Sequence, residues 1–267
     1  MVTDSHEEVK LTHGPRYGFA GPELTRVELP MPGLDAPLRV AHLTDVHFGA
    51  VTPISLQRQA VAQVNAEKPD LVLLTGDFIC RGRSYLDRIS EVLGQLEGRK
   101  LAVLGNHDWW TDGPEVRRQL ELGGVEVLTN TWTRVGELAL VGLDDWGTDH
   151  HDVHAAMRGV SGPVLAMSHN PEAAPELWAS GAGLVLSGHT HGGQFHVEKW
   201  TPELWRSLLK VRYLSGIYEH EGRRVYVNPG VGSSVVPWRY GRPAMRTVSI
   251  LELTPAPRLR TRAGGMG

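Results

Sequence analysis

The chain has a single cysteine, Cys80, among 267 residues. One thiol cannot form an internal disulfide, and it cannot build a cysteine-rich structural zinc site. No apolar run approaches the roughly 18 residues that a membrane span needs. The opening stretch, MVTDSHEEVKLTHGPRYG, is polar and carries acids. It has neither the basic start nor the apolar core of a secretory signal, so the expected location is cytoplasmic. Basic charge is not in excess: 27 Lys and Arg against 30 Asp and Glu leave a net charge of −3. No global field therefore steers the chain toward nucleic acid. Internal repeats and low-complexity segments are also missing.

What is present is one recurring pattern. A short run rich in Val and Leu ends in a cluster of Asp, Asn, His and Gly: LRVAHLTDVHFG (38–49), DLVLLTGD (70–77), KLAVLGNHD (100–108), LALVGLDDWG (138–147), PVLAMSHNP (163–171) and GLVLSGHTHGG (183–193). Continuous apolar runs of this length suit strands buried on both faces. Helical periodicity falls between several of them, at 55–67, at 84–97 with Gly98 as a stop, from Pro114 through Leu120, and at 171–181. Strand and helix in alternation with short connections predict an α/β fold. Ligands of such folds sit beyond the carboxyl ends of the strands, so the polar clusters should converge on one site.

The converging residues are Asp45 and His47, Asp77, Asn106, His107 and Asp108, His169, and His189 and His191. Carboxylate, amide and imidazole without thiolate suit borderline divalent metals such as Mn, Fe, Zn and Co. The ordered blocks Asp45-x-His47, Gly76-Asp77, Gly105-Asn106-His107-Asp108, His169 and Gly188-His189-x-His191 resemble the five signature blocks of the calcineurin-like metallophosphoesterases. The finer text, HLTDVHFG, LLTGDF, LGNHDWW, SHNP and SGHTHGGQ, is similar to the YkuE/YaeI-type bacterial branch, and the resemblance covers about residues 38 to 194.

That resemblance implies a four-layer α/β/β/α sandwich with two mixed β-sheets. It implies two divalent metal ions, Mn foremost and Fe, Zn or Co as alternatives. Asp45, His47 and His191 would hold one, Asn106, His169 and His189 the other, and Asp77 would bridge them. The implied reaction is cleavage of phosphate esters, phosphodiesters above all, by a metal-bridging hydroxide. His107 would be the general acid and Asp108 its orienting partner. A phosphomonoesterase or a lipid-linked pyrophosphate hydrolase are the alternatives within the class. A nuclease has no strong nucleic-acid signal behind it, and a non-catalytic scaffold would be marked by lost ligands, whereas every ligand is present.

Several stretches lie outside this set. Trp109 and Trp110 are candidate substrate-binding walls. His150, His151 and His154 look like a metal tract, but a solvated loop is the expectation. Asn228 to Ser234 (NPGVGSS) resembles a phosphate-cradling loop without its lysine, and a turn near the site is expected. KWTPELWRSLLKVRY (199–213) reads as an amphipathic helix, either packed on the core or offered to a lipid or membrane surface. The domain reading is an N-terminal arm (1–25), one metallophosphoesterase domain (26–254) and a flexible tail (255–267).

Overall fold

A computed structural model describes residues 21–197, 200–208 and 210–256. Its strands are β1 (Glu23–Pro32), β2 (Leu38–Leu43), β3 (Leu71–Thr75), β4 (Arg99–Val103), β5 (Glu126–Val127), β6 (Thr131–Val135), β7 (Leu138–Gly142), β8 (Val164–Met167), β9 (Leu184–Ser187), β10 (Gly216–His220), β11 (Arg223–Val227) and β12 (Thr247–Ala256). The helices are α1 (Ile54–Glu67), α2 (Asp87–Leu93), α3 (Asn106–Leu122), α4 (Val153–Ala156), α5 (Ala174–Ala179) and α6 (Trp200–Leu208). The strands form two six-stranded sheets, ordered β1-β12-β2-β3-β4-β5 and β10-β11-β9-β8-β7-β6. Both are mixed: β2 to β5 run parallel while β12 opposes β2, and β7, β8, β9 and β11 run parallel while β6 and β10 oppose their neighbours.

Strand alternation explains the layering. Leu71 and Leu73 of β3 join Leu101, Leu140, Leu165 and Leu184 in a core between the sheets. Val72 and Leu74 of the same strand face the other way, onto Ala60 and Val64 of α1 and Ile89 of α2. On the far side, Val141, Ala166 and Val185 pack beneath Leu177 and Trp178 of α5. A strand buried on both faces cannot alternate with polar residues, which is why these runs are continuous. The result is the four-layer α/β/β/α sandwich that the resemblance implied.

Element boundaries differ from the periodicity reading in instructive places. The helix expected from Pro114 begins at Asn106 and breaks at Asp112, whose extended backbone (φ −176°, ψ 82°) precedes Gly113-Pro114. A proline cannot donate the helical hydrogen bond at its position, so the two halves meet at a kink. The helix expected at 84–97 is shorter, 87–93, and closes on Gly94, whose N–H bonds Ser90 O. Strand β1 starts inside the expected arm and β12 reaches Ala256, inside the expected tail, because the two pair in parallel from Glu23↔Thr247 to Pro32↔Ala256. The remainder of those arm and tail readings, residues 1–20 and 257–267, lies outside the described residues. No helix among the described residues is long and apolar enough to cross a membrane.

One buried histidine lies apart from the converging set. His42 is fully buried on β2 and hydrogen-bonds Thr75 Oγ1 at 2.8 Å. Burial lowers its pKa to about 3. The unfolded chain protonates this imidazole near the ordinary value while the folded chain resists, so its contribution is intact above about pH 6.5 and is lost as pH falls toward 3. The expected slope is about 1.4 kcal/mol per pH unit inside that window. Denaturant unfolding at pH 7 and pH 5 should show His42→Gln losing less stability on acidification than the wild type; equal losses would remove His42 as the cause.

Candidate metal centre

The converging residues sit immediately after strands. Asp45 and His47 follow β2, Asp77 follows β3, Asn106 to Asp108 open α3 after β4, His169 follows β8, and His189 and His191 follow β9. Asp45, His47, Asp77, His189 and His191 all have positive φ, between 48° and 72°. Left-handed backbone at non-glycine residues costs energy and persists where the surroundings impose it. Here it turns successive side chains out of the strand direction and toward one point. Gly188 permits a close approach: a Cβ there would strike Thr44 Oγ1 and Asp45 Oδ2.

Two clusters of expected ligands result, beside a third group of His47, Cys80 and His107. Ligand atoms of Asp45, His47 and His191 lie within 4.8 Å of one another, and so do those of Asp77, His169 and His189. In the first, His47 Nε2 is 3.1 Å from His191 Nε2, and Asp45 Oδ1 is 3.8 Å and 3.5 Å from the two nitrogens. In the second, His169 Nε2 is 3.2 Å from His189 Nδ1 and 3.3 Å from Asp77 Oδ2. Asp77 Oδ2 also lies 3.6 Å from His47 Nε2, so one carboxylate reaches both clusters.

The residues fit divalent cations on grounds internal to the protein. Asp45 Oδ1 and Asn106 Oδ1 are buried acceptors with no hydrogen-bond partner, and buried polar atoms are rarely left so. Asp45 Oδ2, by contrast, accepts from Thr44 Oγ1 and the His189 N–H. Burial drives His47 down to about 3 and His189 to about 4, and burial with Arg239 holds His191 well below the usual range. Neutral imidazoles offer lone pairs, which is what a cation requires. His169 moves the other way. Burial opposes its charge and is the largest single influence, but the carboxylates of Asp77, Asp45 and Asp145 together outweigh it and raise it well above the ordinary value. The same negative charge that attracts a proton there would attract a metal. The other nitrogen, His169 Nδ1, donates to Thr75 O at 2.7 Å, which aims Nε2 at the cluster.

The structure brings together six of the seven expected ligands, buries Asn106 at the start of α3 with its Oδ1 unpartnered, and sets the His107 ring centroid 4.9 Å from that of His47. Asp108 is a correction. It does not orient the His107 ring; its oxygens accept from the N–H groups of Asp77, Phe78, Ile79 and Gly105 at 2.8 to 3.2 Å. Consecutive residues on a helix point about 100° apart, so neighbours in sequence do not face each other. Burial, then the adjacent Asp77 charge, raise Asp108 to about 8. The orienting partner of His107 is the Cys80 carbonyl, which accepts from Nδ1 at 2.6 Å.

The tryptophan pair divides for the same reason. Trp110 is 67% exposed and its ring lies 5.0 Å from that of His107. Trp109 turns toward another segment: its Nε1–H donates to Asp144 Oδ1, and His150 stacks on its face at 3.6 Å. The 228–234 loop cradles no anion, since Val231 N–H bonds Thr44 O, Gly232 N–H bonds Asp45 O and Ser233 N–H bonds Thr52 Oγ1. It braces the segment that carries Asp45.

Arg239 escaped the sequence reading. It is buried, donates to Pro229 O, Ala244 O and Gly232 O, and places Nη2 2.7 Å from His191 Nδ1. An arginine can only donate, so this contact suits a bare Nδ1. A cation on His191 Nε2 would put the imidazole proton on Nδ1, and the contact would have to open. Nothing local around residue 239 signals this pairing, which spans 48 positions.

With that geometry in place, comparison with known proteins is decisive. Residues 38–193 match the pattern of the family described as calcineurin-like phosphoesterase. The chain belongs to that family. It is 31% identical over 209 residues to the phosphodiesterase YaeI of Escherichia coli, covering 74% of this chain and 76% of that one. It is 28% identical to the uncharacterized metallophosphoesterase YkoQ of Bacillus subtilis, covering 76% and 80%. A zebrafish protein named a transmembrane protein with metallophosphoesterase domain is 31% identical over 82% of this chain, which spans only 54% of that protein.

Proposed function

We propose that this member of the family hydrolyses phosphate esters, phosphodiesters foremost, with two divalent cations. The observation that carries the reading is the position of Asp77, whose Oδ2 stands within 3.6 Å of His47 Nε2 and 3.3 Å of His169 Nε2. Asp45, His47 and His191 would hold one cation and Asn106, His169 and His189 the other, with Asp77 shared. Oxygen donors from two carboxylates and an amide, mixed with imidazole, suit manganese, iron, zinc and cobalt alike. When bound, such cations supply a nucleophilic water at neutral pH and hold the phosphate oxygens.

The protein's own groups do the rest. His107, held by its Nδ1–H on the Cys80 carbonyl, presents Nε2 as the position that carries a proton to the leaving oxygen. The His107 N–H donates to Asp77 Oδ1 at 2.9 Å, which fixes the carboxylate between the clusters. Diester preference draws support from the name of the similar E. coli protein. The test is hydrolysis of a chromogenic phosphodiester and its matching monoester after chelation and reloading with Mn, Zn, Fe or Mg. Metal-restored cleavage with the diester preferred is the expected result. Monoester preference would overturn the diester reading, and no turnover of either with two cations bound would overturn the hydrolase reading.

A further inference from the structure

The exposed apolar side chains of this protein are not scattered. Ten large hydrophobic residues stand exposed on the described surface; eight come from two stretches, 195–208 and 235–240, and a ninth is Trp110 beside His107. The two stretches are joined to each other and to the metal centre. The Gln194 side chain donates to Val236 O, Tyr240 N–H bonds Gln194 O, and His196 N–H bonds Tyr240 O. Gly193, two residues after His191, packs against Thr201 and Trp205 of α6, and Arg239 contacts His191 itself.

Helix α6 shows how deliberate the exposure is. Thr201 is buried and faces Gly193, as does Trp205. Trp200, Leu204 and Leu208 recur every four residues on another stripe and are 79%, 51% and 69% exposed. A surface helix normally carries polar residues there. Exposed apolar area on this scale beside a site marks an interaction surface. Charge says what kind. Arg206, Lys210 and Arg242 stand exposed in or next to these stretches, and Glu203 is the one exposed carboxylate of α6. Residues 235–246 carry no acid, and of their three arginines Arg239 and Arg246 are buried while Arg242 reaches the surface. Exposed tryptophan and leucine flanked by cations, against an otherwise acidic protein, complement the surface of an anionic bilayer.

We propose that this apolar, cation-flanked collar docks on anionic phospholipid membrane and sets the mouth of the metal centre against the headgroups. Docking stands on the collar alone; that it delivers phosphate esters of lipids to the site rests on the hydrolase reading above. The experiment is co-sedimentation of the full chain with phosphatidylcholine vesicles, with and without phosphatidylglycerol. The wild type should partition onto the anionic vesicles and release as salt rises. Trp200→Ser with Leu204→Ser, and separately Trp238→Ser, should each partition at least about tenfold more weakly. Their hydrolysis of a soluble diester should stay within about twofold of wild type, since none of the three side chains belongs to the catalytic set.

Wild type that stays in the supernatant, or variants that sediment like wild type, would overturn the docking. So would a wild-type dimer lost in the variants without any vesicle binding, which would make the face a self-association surface. Vesicle binding without hydrolysis of any ester would instead remove the hydrolase reading and leave the docking in place.

Discussion

Asp77→Asn is expected to strip the protein of both cations and to lower turnover by at least about 10³-fold, because losing even one electrostatic stabiliser of a transition state costs about 10² to 10³. The substitution is nearly isosteric and keeps an acceptor for the His107 N–H. What it removes is the negative charge that faces His47 and His169 together. That charge is large in the energetics of the site: burial would disfavour it, yet His169 and His47 hold the carboxyl well below the usual range. Metal analysis of the dialysed variant, with circular dichroism to show that it is folded, makes the test. Two cations retained per chain with activity near wild type would mean that Asp77 does not bridge.

His107→Ala should separate chemistry from metal binding. Both clusters form without this side chain, so the cations should remain. Turnover should fall by about 10² to 10⁴, the usual worth of a positioned general acid. The loss should be smallest for nitrophenyl esters, whose leaving oxygen needs no proton, and largest for alkyl esters. An equal loss across leaving groups would rule out proton donation and leave a phosphate-binding role. Asp108→Asn is the control. An amide there turns a donor toward backbone N–H groups that now meet carboxyl oxygens. The expected result is a loss of about 1–3 kcal/mol of stability, with the leaving-group pattern of the remaining activity unchanged.

How much of this was legible beforehand depended on whether the signal was local. The seven candidate ligands could be read because each follows a buried strand, and because metal chemistry admits few residue types. Adjacency in sequence misled at α3. Asp108 follows His107 and Trp110 follows Trp109, yet a helix rotates each pair apart. Asp108 closes the loop after β3, and Trp109 turns to Asp144 and His150 while Trp110 stays by the site. The amphipathic stretch at 199–213 was visible as a helix, and α6 occupies 200–208 of it. Periodicity could not tell which of its stripes would be covered.

The sequence by itself determined the layered α/β class, the order of the site blocks and the donor chemistry, because strand burial and ligand type leave marks within a few residues. Tertiary structure alone decided the rest. It paired β1 with β12 across 224 positions of the chain, from Glu23 to Thr247. It carried Arg239 to His191, gave His107 a main-chain carbonyl for a partner, and gathered 195–208 and 235–240 into one exposed collar. Each of these is a contact between segments distant in sequence, made by groups that any residue carries or by side chains with no local period. Such contacts exist only once the sheets have closed.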